Sequence, residues 1–315
     1  MTHPAQRGSD DSVTILMGVR NGAVHLPEQL ESIAAQTHTN WRLKCSDDGS
    51  TDDSLDVLAT FAAQHVDKVK IAAGPQDGFS ANFMSLIRSL PDDIGHIGFA
   101  DQDDVWEFDK LMRGITALEK ASDIPTLYCG KTCYWYPETG RKYSSHSITK
   151  PPSFRNALIE NVAAGNTIML NPAAARLARY AAQRTDCVFA HDWWLYLLIT
   201  GAGGKVIFDQ GEPSLLYRQH GGNVIGAGQG ITQQARRKIM VLKGAFAQRL
   251  DSNLTAMNLV RDLLTPENRT LLDTFSAARQ TGVFGRLSAL YKVKPYRQTL
   301  AGNIGFWGAA GLGYI

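Results

Sequence analysis

Val13 to Val19 (VTILMGV) is an unbroken apolar run, the pattern of a strand covered on both faces. Arg20-Asn21-Gly22 ends it in a turn. Leu26-Pro27-Glu28 opens a helix, with Pro27 in the first turn, where a missing N–H costs nothing, and Leu30, Ile33 and Ala34 give it one apolar face. Trp41 to Ser46 predicts a second strand, which ends at Asp47-Asp48-Gly49-Ser50-Thr51. Thr51 or Asp52 then caps a helix with Leu55, Leu58, Ala59 and Ala62 on its apolar face. Val69 to Ala72 predicts a third strand, Gly74 to Gly78 a loop, and Phe79 to Leu90 a helix broken by Pro91. Ile94 to Ala100 is the fourth strand. This βαβαβαβ order with short connections predicts an α/β fold built on an open, mostly parallel sheet. Such sheets bind ligands outside the carboxyl ends of their strands, where the strand order reverses.

In the second half, the pattern predicts a helix over Glu107 to Ala121 and one long strand over Pro125 to Tyr136, ended by the turn Pro137 to Gly140. Gly165 to Leu170 predicts a strand, and Pro172 starts a helix. A helix led by His191-Asp192-Trp193-Trp194 runs to Ile199, followed by strands over Lys205 to Phe208 and Leu215 to His220. Gly226 to Gly230 marks a boundary, and residues 231–315 read as three or four basic helices. The organisation expected is a loose polar tail over 1–11, an α/β body over 12–226 and the helical region over 231–315.

Charge sharpens that last division. The net charge of +2 hides 12 Lys and Arg against 4 Asp and Glu in 231–315, which leaves the rest of the chain acidic. A basic region beside an acidic body implies attraction to an anionic surface, a membrane face or a phosphorylated carrier; solvated helix faces explain it as well. The four cysteines are scattered without zinc spacing and read as reduced packing residues, in keeping with a cytoplasmic protein. No leader and no run of about 18 apolar residues is visible.

The chemistry gathers after the fourth strand, in Asp101-Gln102-Asp103-Asp104-Val105-Trp106. Carboxylates this close repel unless they share a cation, and Asp101 and Asp103 flank one residue, so both can face one oxygen-seeking metal, Mg²⁺ or Mn²⁺. Asp103 or Asp104 can instead cap the following helix. Two nucleotide-binding patterns are excluded. No G-x-G-x-x-G follows the first strand, and Gly201-Ala202-Gly203-Gly204-Lys205 lacks the spacing and the Ser or Thr of a P-loop, so it reads as a turn.

Taken together, these motifs resemble the family 2 glycosyltransferases of GT-A fold, in a rhamnosyltransferase-like branch. The residues that carry the resemblance are Val13 to Gly22, Leu26 to Ile33, Ser46 to Asp52, Asp101 to Trp106 with Lys110-Leu111, His191-Asp192-Trp193, and Tyr217-Arg218-Gln219-His220 with Asn223. The resemblance implies metal-dependent, inverting transfer of a sugar from a nucleotide diphosphate, with dTDP-β-L-rhamnose as donor and a UDP-sugar as the other choice. A glycan or lipid-linked saccharide is the implied acceptor, and nucleic acid is not a partner. Asp192 matches the base, Asp103 and His220 the metal ligands, and Asp101 a contact to ribose or diphosphate. Val19, Arg20, Asn21, Glu28, Asp47, Asp48, Gly78 and Gln102 fall on the nucleotide side. Asn166, Trp106, His191 and Trp193 fall on the sugar and acceptor side. Where the family commonly ends its first strand in Thr-Tyr-Asn, this chain has Val19-Arg20-Asn21; the Arg20 guanidinium can stack on a base or meet a phosphate.

Each residue also has a structural reading. Asp192 is a natural N-cap, Asp47 and Asp48 an Asx turn, Asn166 a turn residue, Trp106 packing, and His220 a strand-end hydrogen-bonder. The rival functions are a nucleotidyltransferase of sugar phosphates and a non-catalytic sugar-nucleotide or glycan-binding module.

Overall fold

A computed structural model describes residues 11–121, 123–220 and 244–315. Asn223, the boundary at 226–230, the first part of the basic segment and nearly all of the tail lie outside the described residues.

The main sheet has seven strands in the order β10-β6-β9-β4-β1-β2-β3. They are β1 Val13–Val19, β2 Trp41–Asp47, β3 Val69–Ala73, β4 His96–Ala100, β6 Thr126–Gly130, β9 Met169–Leu170 and β10 Lys205–Asp209. β1 lies parallel to both β2 and β4, so the chain reverses direction across the sheet at β1. The crevice predicted at a switch point therefore opens between the loops after β1 and β4. β9 is antiparallel to β4 and β6.

Helices α1 Leu26–Ala34, α2 Ser54–Gln64, α3 Gly78–Arg88, α4 Lys110–Glu119, α5 Phe154–Ala157, α6 Pro172–Ala182 and α7 His191–Gly201 flank the sheet. Val13, Ile15 and Met17 point to one core with Leu30, Ile33, Leu58 and Leu118; Leu16 points to the other with Phe83, Ile87, Leu195 and Leu198. The period-2 alternation of a strand thus feeds two apolar layers, which is why β1 carries almost no polar residue. Helices α8 Ala245–Leu259, α9 Pro266–Arg279, α10 Val283–Val293 and α11 Leu300–Leu312 follow. Leu250, Met257, Leu272, Phe275, Leu290 and Phe306 join the same core as α6 and α7.

Several expectations need correction. The long strand over Pro125 to Tyr136 is two: β6 stays in the main sheet, and β7 Cys133–Tyr136 leaves it for a second sheet, in the order β5 (Val105–Trp106), β11 (Leu215–Arg218), β7, β8 (Arg141–Ser144). The departure is at Lys131-Thr132, where Thr132 pairs with Ser145 instead. β5 Val105–Trp106 and β11 Leu215–Arg218 pair antiparallel, so the end of the acidic motif is strand and α4 starts later than expected, at Lys110. Gly165–Thr167 is a 3-10 turn, which leaves a two-residue strand where six residues were expected. On α2 the buried face is Ser54, Leu58 and Phe61, while Leu55 and Ala59 are exposed, because this helix covers the sheet's edge rather than its middle. Its N-cap is Asp53, although Asp52 Oδ1 does accept the Ser54 amide at 3.1 Å.

The glycine turn at 201–204 is structural. Gly203 has φ +80°, and a Cβ on Gly204 would lie 2.4 Å from the Pro125 carbonyl oxygen. A backbone oxygen cannot yield as a side chain can. Gly204→Ala is expected to lower stability by about 1–3 kcal/mol without changing nucleotide affinity. Urea unfolding measures the first and calorimetry the second; an unchanged midpoint would contradict the packing described.

Candidate active site

Three loops meet at the crevice, and side chains stitch them together. From the β1 loop, the Asn21 amide donates to Ser50 Oγ at 2.9 Å, the Gly22 amide to Ser54 Oγ at 2.8 Å and the Ala23 amide to Asp52 at 3.0 Å. Asn21, with φ 49°, accepts the Thr51 amide at 2.8 Å. The β1 loop is thus locked to the β2 loop, its amides engaged rather than open to cradle a triphosphate. Asp47 accepts the Gly49 and Ser50 amides, the Asx turn its sequence allows. Asp48 accepts the Gln76 amide at 2.7 Å and the Gly78 amide at 3.1 Å, which ties β2 to the start of α3. Its own amide donates to the Val19 carbonyl. Arg20 is exposed, its guanidinium 4.0 Å from Asp48.

The acidic loop is held from both sides. Gln102 makes two bonds to the Arg20 backbone, accepting its amide at 2.8 Å and donating to its carbonyl at 3.0 Å. Gln29 donates to the Asp101 carbonyl. Arg218 donates to the Asp103 carbonyl at 3.0 Å, pairs with Glu28, and lies over the Trp135 ring. The strand expected to run to His220 ends at Arg218; His220, two residues beyond it, brings Nε2 to 2.8 Å from Asp103 Oδ2. The His25 ring lies tilted beside His220, 4.9 Å between centroids; burial, then Arg218, lowers its pKa.

Beneath the loop, Asp104 is fully buried and accepts from Asn166 Nδ2 at 2.7 Å. Burial, with Asp101 and Asp103 adding, holds its carboxyl well above the usual range. Lys110, also buried, donates to the Asn166 carbonyl at 2.9 Å and lies 4.4 Å from the Trp106 ring; burial brings its pKa down to about 7. Neither Asp103 nor Asp104 caps a helix, since α4 begins after Asp109.

Asp192 faces this loop from α7. The N-cap is Ala190, so Asp192 is the second helical residue rather than the cap. It accepts the Trp193 amide at 2.6 Å, with Asn161 and the Gly165 amide as further donors. Those bonds lower its pKa, yet burial dominates and raises it to about 6. Asp101 is raised to about 7, by burial first, then by Asp103, then by Asp192, with Lys110 opposing. Asp101 thus lies within electrostatic reach of both other carboxylates.

Two residues assigned to the sugar side lie under the cleft instead. His191 is buried, stacked on Phe83 at 4.0 Å between ring centroids and close to Phe99, with neither nitrogen bonded; burial lowers its pKa to about 3, so it stays neutral. Trp193 gives its indole N–H to the Ala157 carbonyl at 2.7 Å. Trp106 and Asn166 are buried too, and Asn166 faces Asp104. Arg218 and Lys110 are further residues of the site that the sequence motifs contain but do not single out. Their signals were a cation two residues before His220 on a strand, and a lone lysine on an otherwise apolar helix face.

A family model described as glycosyl transferase family 2 matches residues 14–182. The chain belongs to glycosyl transferase family 2. This transferase is 27% identical over 218 residues to the dTDP-rhamnosyl transferase RfbG of Shigella flexneri, covering 67% of this chain and 74% of that protein. It is 33% identical over 113 residues to the putative glycosyltransferase EpsE of Bacillus subtilis, 36% of this chain and 40% of the other. Its fold is GT-A. The structure of S. aureus TarS 1-349 with UDP-GlcNAc matches with a TM-score of 0.56 at 11% identity, covering 96% of this chain and 91% of that one. The Pyrobaculum calidifontis mannosyltransferase PcManGT, with GDP-Man and Mn²⁺, matches at 0.50 and 15% identity, covering 96% and 85%.

A divalent metal fits the donors of this family 2 transferase. Asp103 Oδ2 and His220 Nε2 lie 2.8 Å apart as a bonded pair, a carboxylate oxygen and an imidazole nitrogen close enough to serve one ion and of a type suited to Mn²⁺ and acceptable to Mg²⁺. Among the described residues, no three His, Cys, Asp or Glu side chains form a ligand cluster, so the remaining donors would be the nucleotide's phosphates and water.

Proposed function

We propose that this glycosyltransferase moves L-rhamnose from dTDP-β-L-rhamnose to a hydroxyl of a growing cell-surface glycan, in one inverting displacement. The observation that carries the chemistry is the pairing of Asp103 with His220 at 2.8 Å in the loop after β4, with Asp192 at the start of α7 near enough to Asp101 to raise its carboxyl. The likeness to the Shigella rhamnosyl transferase supports the donor.

Asp192 takes the proton of the acceptor hydroxyl. That oxygen attacks the anomeric carbon as the bond to the diphosphate breaks, and the diphosphate leaves with the electron pair. A base works best with its pKa near the working pH, and about 6 leaves Asp192 ionised at neutrality yet more basic than a solvated carboxylate. Asp103 and His220 would hold Mn²⁺ or Mg²⁺, which when bound neutralises the diphosphate as a Lewis acid. Asp101 sits beside the ribose and diphosphate. Arg20 reaches the base or a phosphate from the exposed rim, with Asp47 and Asp48 shaping the nucleoside's loop. Gln102, Glu28 and Arg218 act through the backbone they hold. A glycan or lipid-linked saccharide enters on the Asp192 side.

A thermal-shift panel of dTDP-, UDP- and GDP-sugars with Mn²⁺ tests the donor. A ligand at a hundred times its Kd stabilises by about 2.7 kcal/mol, so dTDP-rhamnose should raise Tm most. A larger rise with UDP- or GDP-sugars would overturn the donor assignment.

A further inference from the structure

We propose that the α10–α11 pair is the face by which the protein lies on an anionic lipid bilayer. The inference is independent of the donor assignment. α11 contains no charged residue. It buries Phe306, Ala309 and Ala310 against the body and leaves Leu300, Ile304 and Leu312 exposed. Those three are spaced by four and eight, which makes a single outward stripe. α10 buries Leu290 and Val293 and leaves Phe284 and Tyr291, seven apart, in solvent. Phe284 is 90% exposed and Leu300 78%, far beyond the scattered apolar atoms of an ordinary surface.

Charge names the occupant. From Thr274 to Ile315 the chain has Arg279, Arg286, Lys292, Lys294 and Arg297 and not one Asp or Glu. Arg279 and Arg297 are balanced by Asp251 and Glu160. Arg286 donates to the Ala310 and Thr281 carbonyls and keeps its charge. Lys292 and Lys294 are exposed and close no ion pair among the described residues. Large apolar side chains bordered by uncompensated cations match a surface of lipid headgroups over acyl chains. A second copy fits worse, because a two-fold interface sets a patch against itself and here would oppose cations to cations. Among the described residues no helix is long and apolar enough to cross a membrane, so the contact is with the surface.

The test is co-sedimentation of the full chain with vesicles of phosphatidylcholine alone or mixed with phosphatidylglycerol. The protein should sediment with the mixed vesicles, and raised salt should release part of it. Phe284→Ser with Ile304→Ser, both exposed and so compatible with folding, should bring sedimentation down to the level seen on phosphatidylcholine. Lys292→Glu with Lys294→Glu should remove the preference for the anionic lipid. Light scattering and the donor's thermal shift check that each variant is folded and monomeric. Equal sedimentation of wild type and both variants, no preference between vesicles, or a dimer abolished by the serine variant would overturn the proposal.

Discussion

Asp192→Asn should lower the rate of transfer by about 10²–10⁴-fold, the range a positioned base supplies, while donor affinity is unchanged. The amide is the same shape, and it can still accept from the Trp193 and Gly165 amides, so α7 keeps its first turn. What it loses is the capacity to take a proton. The pH profile gives a second reading. Burial raises the Asp192 carboxyl to about 6, and only the ionised form acts as a base, so the wild-type kcat should rise with pH through about 6 and level off above it. The variant's residual rate should lack that limb. Turnover assays set beside donor calorimetry decide the matter. Retained turnover would remove Asp192 as the base, and a parallel loss of donor binding would make it a structural residue.

Asp103→Ala should abolish the metal-dependent part of nucleotide affinity. Loss of even an outer partner of a metal ligand costs about 10–100-fold in affinity or activity, and a ligand itself should cost at least that. Titration of dTDP by calorimetry with Mn²⁺ and then with EDTA is the measurement. In the wild type the chelator should weaken binding; in the variant it should make no difference. His220→Ala should move in the same direction, because its Nε2 lies 2.8 Å from Asp103 Oδ2. Arg218→Ala is a different control. Arg218 touches the Asp103 carbonyl rather than the carboxylate, so its loss should loosen the loop without removing the metal dependence. Affinity that ignores EDTA in the wild type would sink the metal assignment.

The first hundred residues were the more legible half. Val13–Val19 is a strand from end to end because a strand buried on both faces must be apolar throughout, and no helix of seven residues competes with it. The switch point, and with it the meeting of the loops at Asn21, Asp47 and Asp101, follows from the order of the elements. Legibility failed where apolarity does not say which sheet a strand joins. Leu127 and Tyr134 are comparably apolar, yet they belong to different sheets. β8 Arg141–Ser144 gave no signal at all, since its four residues are exposed and only backbone pairing with β7 makes it a strand. Site residues divided in the same way. The acids were visible as a crowd of like charges, whereas the burial of His191 and Trp193 depends on how α7 packs against α3 and α5. No local pattern around His191-Asp192-Trp193 distinguishes the side chain in the cleft from the two beneath it.

Gly165 and Asn166 are neighbours in the chain, and they look in opposite directions. The Gly165 amide reaches the Asp192 carboxylate, and the Asn166 side chain reaches Asp104 under the acidic loop. One short 3-10 turn therefore touches both jaws of the cleft at once. Under the proposed roles, the interval between the acidic loop and Asp192 is held by two successive residues of that turn rather than by the sugars that pass through. A lineage that exchanges one acceptor for another can vary the surrounding rim freely, so long as this one interval is left alone.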